Sequence, residues 1–155
     1  MKCSVTYVYW FLGIVIFCID RITKNAALML GSRSVASGIP CVSYELTLNR
    51  GISWGMFHSY NDIVFVAVSL IIACVIACVA WWAYNSYQHG ESILGHACII
   101  AGSLSNSFDR ICYQGVIDFI VISYRIYYWP LFNVADMAIV VGIGIIVWQN
   151  YCVKK

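Results

Sequence analysis

Charged residues are so sparse along this chain that the gaps between them mark out its elements. Uncharged runs cover residues 3–19, 63–90, 92–108 and 137–153, bounded by Lys2 and Asp20, Asp62 and Glu91, Glu91 and Asp109, and Asp136 and Lys154. The second run contains "IVFVAVSLIIACVIACVAWWAY", long enough to cross a bilayer and closed by aromatic residues suited to the lipid–water boundary. The other three hold 17 residues each, close to the shortest stretch that spans. The third is the least apolar, carrying His96, Ser103, Ser105 and Asn106. The pattern predicts one integral membrane domain over 1–155, with transmembrane helices near 4–20, 62–84, 92–110 and 133–152.

The segments between the runs are unequal. Loops 21–61 and 111–132 fall on one side, whereas the short "NSYQHGE" turn and both tails fall on the other. Within the first loop, "VSYELTLN" (42–49) sets Val42, Tyr44, Leu46 and Leu48 against Ser43, Glu45, Thr47 and Asn49, the period of a half-exposed strand. Residues 116–129, "VIDFIVISYRIYYW", are dense in β-branched and aromatic side chains and also read as a strand. The expected fold class is therefore membrane α-helical: four transmembrane helices with a small β-sheet cradle and loop on one face.

Composition agrees: 62% of residues are hydrophobic and 10% charged, whereas about a quarter of a soluble domain is charged. The net charge of +2 is too small to imply a nucleic-acid partner. Lys2 and the apolar run after it resemble the start of a signal peptide, but no small-x-small site follows, so a retained first span is expected. The eight cysteines lie mostly in apolar runs and form no C-x-x-C; Cys74 and Cys78 read as small hydrophobes on one helical face. No H-E-x-x-H is present, and neither a metal nor a cofactor is expected. Lys2, Lys154 and Lys155 mark the tails, against Arg21, Lys24, Arg33, Arg50, Arg110 and Arg125 in the loops and at span ends. Counted mechanically, this places the long loops in the cytoplasm. Several of these cations fall in the polar clusters below, however, so charge alone leaves the orientation open.

Five polar clusters gather at the same ends of the spans: "DRITK" with Asp20 and Lys24, "NRGISWG" from Asn49, "NSFDR" with Asn106, Asp109 and Arg110, "GVIDF" with Asp118, and "FNVAD" with Asn133 and Asp136. Each has an ordinary reading. Asp136 is well placed to cap a helix. Asp109–Arg110 and Asp20–Lys24 are candidate ion pairs, and Asn106 and Asn133 candidate interhelical hydrogen bonders. What argues for a site is their gathering on one face. Asp118 and Asp136 are 18 residues apart, on a hairpin that leaves the third span and enters the fourth at the same surface. Two carboxylates meeting at a low-dielectric boundary share a proton, the arrangement with which aspartic proteases activate water and polarise a carbonyl. A Ser–His site is disfavoured: there is no G-x-S-x-G, and His89 and His96 lie toward the other side from Ser103, Ser105 and Ser107.

The clusters, in this order and spacing, resemble those of lipoprotein signal peptidase (signal peptidase II), the bacterial membrane aspartic protease family. "DRITK" is similar to its D-x-x-S/T-K, "NRGISWG" to its N-x-G-x-x-F/W-G, "NSFDR" to N-x-x-D-R, "GVIDF" to its Gly-to-Asp-Phe/Met motif and "FNVAD" to F-N-x-A-D. Ile52, Ser53 and Trp54 depart from the commoner small residues and Phe. The resemblance implies Asp118 and Asp136 as the catalytic dyad, with Asn49, Asn106, Arg110 and Asn133 contacting substrate or supporting the site. It adds Asp20 and Lys24 as further motif residues and Asp109 as structural support. It implies a diacylglyceryl-prolipoprotein substrate cut just before the lipidated Cys, a monomer among membrane lipids, and a multi-pass protein of the bacterial inner membrane with its site at the outer, periplasmic face. The rival is a non-enzymatic four-span transporter or scaffold whose acids only pair with Arg and Lys. A thiol oxidoreductase lacks its cysteine pair.

Overall fold

Helices that are apolar on most of their surface have no polar face to hydrate, and the helices of this chain turn large apolar side chains outward. The computed structural model describes residues 2–31, 35–36, 41–51 and 60–153. In it, α1 runs over Lys2–Leu30, α2 over Asp62–Gln88, α3 over Leu94–Tyr113 and α4 over Val134–Trp148, ending in a π-helical turn, Gln149–Val153. Trp10 is 71%, Ile111 83% and Val140 68% exposed, whereas Asp20, Lys24, Asp109 and Asn133 are wholly buried. That inverts the pattern of a soluble domain and suits a chain solvated by lipid. By length and composition α2 and residues 134–151 each suffice to cross a membrane.

α1 outruns its uncharged interval. The helix passes through Asp20, Arg21 and Lys24 to Leu30, because those charges are neutralised within the protein rather than handed to water. α2 begins at Asn61, whose side-chain oxygen accepts from the Ile63 amide at 2.8 Å, and α3 closes on Gln114 in the left-handed conformation.

The sheet has four strands in the order β1 (Val35–Ala36), β2 (Val42–Asn49), β3 (Val116–Tyr124) and β4 (Tyr127–Tyr128), all antiparallel. β2 covers the stretch read as a strand in "VSYELTLN", but the alternation fails at its end: past a register shift between Tyr44 and Thr47, Leu48 is exposed and Asn49 turns inward to Asp118. The stretch 116–129 is two strands, not one: it turns at Arg125–Ile126 and folds back on itself. The β2–β3 register pairs Thr47 with Asp118 and Asn49 with Val116. Tyr44 seats the sheet on the end of α1, its hydroxyl donating to the carbonyls of Ala27 and Gly31.

α3 and α4 touch backbone to backbone. A Cβ on Gly142 would meet the Gly95 carbonyl oxygen at 2.6 Å, and one on Gly102 would collide with the Ala135 carbonyl oxygen. Gly142→Ala is therefore expected to cost about 1–3 kcal/mol by overpacking. Thermal unfolding in detergent should show a lowered Tm, and an unchanged midpoint would mean that the helices part freely.

Candidate active site

Asp118 is the third residue of β3, and Asp136 sits in the first turn of α4. The local sequence explains the second placement. Asn133 caps α4 through a reciprocal box: its Oδ1 accepts from the Asp136 amide at 2.9 Å, and Asp136 Oδ2 accepts from the Asn133 amide at 3.2 Å. Asp136 thus caps its own helix while its other oxygen, Oδ1, faces Asn106 Nδ2 at 2.8 Å.

Asn133 also joins the two acids. Its Nδ2 donates to Asp118 Oδ1 at 2.7 Å, to the Ile117 carbonyl at 3.2 Å and to Asn106 Oδ1 at 3.2 Å. The second oxygen of Asp118 accepts from Asn49 Nδ2 at 3.1 Å, across the β2–β3 pair. Both carboxylates line one cleft of about 500 Å³, with Asn49, Asn106 and Arg110 on the polar side and Trp129–Phe132, Ile139 and Val140 among the apolar walls. Burial, chiefly, and then the negative charge of Asp136 push the Asp118 carboxyl up to about 7, against the opposing pull of Asn49, Asn133 and Lys24. Near neutral pH this carboxyl is poised between its two protonation states.

Behind the cleft lies a buried ionic cluster. Lys24 Nζ donates to Asp20 at 2.8 Å, to Asp109 at 2.7 Å and to Asn106 Oδ1 at 2.7 Å, using all three of its hydrogens. Arg21 bridges the same acids at 3.0 and 2.6 Å and donates to Ser105 Oγ at 3.0 Å. Two acids face two bases, and the cluster is neutral. Its carboxylates also reach the main chain: Asp20 Oδ1 accepts the Ala135 amide at 2.8 Å, and Asp109 Oδ2, shared with Lys24, accepts the Ile117 amide at 3.2 Å. Ala135 and Ile117 are the residues immediately before Asp136 and Asp118. The cluster therefore grips the backbone beside each acid.

The structure brings Asn49, Asn106, Asn133, Asp118 and Asp136 into one hydrogen-bonded network. Asp20 and Lys24 lie behind it, without lining the cleft, and are buried rather than forming a surface pair. Arg110 lines the cleft, and its guanidinium donates to the carbonyls of Arg50 and Gly51, fixing the end of β2 against α3. Ile52, Ser53 and Trp54 lie outside the described residues. Sequence reasoning missed Arg21 and Ser105, although Arg21 adjoins Asp20 and supplies the charge that balances the second acid. Among the described residues no group of three His, Cys, Asp or Glu is placed to hold a metal ion.

Fold and site define a helical membrane protein with a paired-carboxylate cleft. The chain is similar over residues 12–152 to the family profile described as signal peptidase (SPase) II. It is 32% identical over 136 residues to the lipoprotein signal peptidase of Thermodesulfovibrio yellowstonii, an alignment covering 87% of this chain and 88% of that one. The lipoprotein signal peptidase of Wigglesworthia glossinidia brevipalpis is 34% identical over 138 residues, with 87% and 88% covered. In structure the chain resembles a bacterial membrane enzyme solved by the in meso method at 2.3 Å, with TM-score 0.74, 19% identity and coverage of 96% of this chain and 92% of the other. The chain belongs to the signal peptidase II family. It is accordingly a protease, and the transporter or scaffold reading is set aside.

Proposed function

We propose that Asp118 and Asp136 are an aspartic dyad that removes the signal peptide from diacylglyceryl-modified prolipoproteins, cutting before the lipidated Cys. The observation that carries this reading is the pair of carboxylates on one cleft, bridged by Asn133, with Asp118 raised to about 7. The pair holds one proton between its members. The ionised acid takes a proton from water, while the protonated one hydrogen-bonds the scissile carbonyl oxygen and stabilises the charge that develops there. Asn106 and Asn133 hold Asp136, and Asn49 and Asn133 hold Asp118, so neither acid reorganises during the reaction. The apolar walls beside the acids suit a lipid-bearing substrate, whose chains stay in hydrocarbon while its peptide meets the dyad. We also take a monomer as the working unit. We further assign four spans to the bacterial inner membrane, with the dyad at the outer face.

Purified protein incubated with a lipidated precursor should give one cut, before the modified Cys, whereas the unlipidated precursor should remain intact. EDTA should leave the rate unchanged; strong EDTA inhibition, or equal cleavage of both precursors, would overturn the reading.

The pH dependence follows from Asp118. A site that needs one shared proton loses activity as pH rises through about 7, the value to which this carboxyl is raised. Asn49 stabilises the ionised form by donating to it. Asn49→Ala is therefore expected to raise the Asp118 pKa further and move the alkaline limb of kcat to higher pH. A pH–rate profile with a limb that stays put, or moves down, would show that another group controls it.

A further inference from the structure

We propose that the tip of the β3–β4 hairpin, residues 124–129, is a membrane-surface foot, with aromatic side chains among lipid headgroups and Arg125 against their phosphates. Six consecutive residues project from the protein here. Tyr124, Ile126, Tyr127, Tyr128 and Trp129 are between 55% and 81% exposed, and Arg125 is exposed among them. In water this would be a contiguous apolar patch with nothing to recommend it. At a bilayer surface it is the composition that the boundary selects, because Tyr and Trp present an apolar body and a polar tip.

The fold places the hairpin at that boundary. Its two arms close at the Ile120–Phe132 bridge, and Phe132 directly precedes Asn133, the cap of a helix apolar enough to cross the membrane. The foot is thus separated from the start of α4 by only Pro130 to Asn133, tied to β3 at the Phe132 bridge. Its base is also a wall of the cleft, since Trp129 to Phe132 line it. Seating the tip on lipid fixes the height of that wall above the bilayer.

Arg125 supplies the charge. It is the only ionisable acid or base between Asp118 and Asp136 apart from the tyrosines. Its φ of 56° is left-handed, a conformation that Gly or Asn adopts more readily in a two-residue turn. A cation thus stands where the backbone favours another residue. Its guanidinium lies 5.5 Å from the Tyr124 ring, at the rim of the aromatic patch. Phospholipid phosphate is the complementary group at this depth.

Hydroxyl-radical footprinting of the full-length protein, without substrate, tests the assignment independently of the reaction proposed above. In vesicles of phosphatidylcholine containing phosphatidylglycerol, Tyr127 and Tyr128 should be oxidised several-fold more slowly than in the denatured chain. Protection should be weaker in phosphatidylcholine alone. Arg125→Asn, which suits the turn, should keep or raise the Tm yet abolish the difference between the two vesicles. Oxidation at the denatured rate overturns the proposal, as does protection that appears only on adding a precursor, which would make the tip a substrate contact. A lipid-charge difference that persists in Arg125→Asn overturns the role of the cation.

Discussion

Asp118→Asn and Asp136→Asn are each expected to lower kcat by roughly 1000-fold or more, the range lost when a positioned acid or base is removed. The substitutions are nearly isosteric, so the loss should come from chemistry rather than collapse. At position 136, Asn retains one oxygen, enough to accept either the Asn133 amide or Asn106 Nδ2 but not both. At position 118, Asn133 and Asn49 each donate to a separate oxygen, so an amide there leaves one donor facing a donor. Each variant forfeits a hydrogen bond costing about 1–3 kcal/mol in a buried site. Against that stands the relief of repulsion between two acids at high pH. Both proteins should therefore unfold cooperatively in detergent and still bind a lipidated precursor. The decisive measurement is single-turnover cleavage of that precursor by folded variant. Either variant processing at near wild-type rate would remove that residue from the dyad.

How much of this was legible in the sequence depends on whether a local pattern has one structural meaning. The extent of β2 was legible from its alternation, but the faces of Leu48 and Asn49 were not, because a register shift between Tyr44 and Thr47 reverses them. The start of α4 was legible from the uncharged run and from Asp136, read as a cap; the structure makes Asn133 the cap and Asp136 its reciprocal partner, with Asp136 serving the cleft as well. The β3–β4 turn was not, since Arg125–Ile126 contains none of the Gly, Asn or Pro that usually marks a hairpin. The end of α1 was hidden for a different reason. Charges were read as boundaries, yet a charge with a buried partner need not reach water, and Arg21, Lys24, Asp20 and Asp109 neutralise one another across two helices. The loop cation count shrinks on the same ground. Arg21 and Lys24 are bound in the buried cluster and Arg110 is buried on backbone carbonyls, whereas Arg50 meets Asp62 at the surface and stays in the count. Grouping of the motifs at one face was foreseeable; that Asn133 bridges both acids was not, because it depends on how β3 and α4 approach each other.

Lys24→Met should be the most destabilising single change in this protein. Lys24 is wholly buried and places its three hydrogens on Asp20, Asp109 and Asn106. Without it the cluster keeps two carboxylates and one guanidinium, and the uncompensated buried charge costs about 3–5 kcal/mol. Lys24→Arg should not restore stability, because a planar guanidinium cannot reproduce three diverging bonds in a space without solvent access. Two effects separate on adding Asp109→Asn. The double variant is neutral again and should recover part of the Tm. It should not recover full activity, because Asn106 Oδ1 still lacks the ammonium that keeps its amide hydrogens turned toward Asp136. The pH profile gives an independent reading. Lys24 is among the charges holding the Asp118 carboxyl down, so its loss should move the alkaline limb upward even in the double variant. Thermal unfolding and pH–rate profiles of the three proteins decide the matter. A Lys24→Met protein as stable as wild type would mean that the cluster is not the buried, charge-balanced unit that grips β3 and α4. Full activity in the double variant would mean that Asn133, the other donor to Asn106 Oδ1, orients that amide without Lys24.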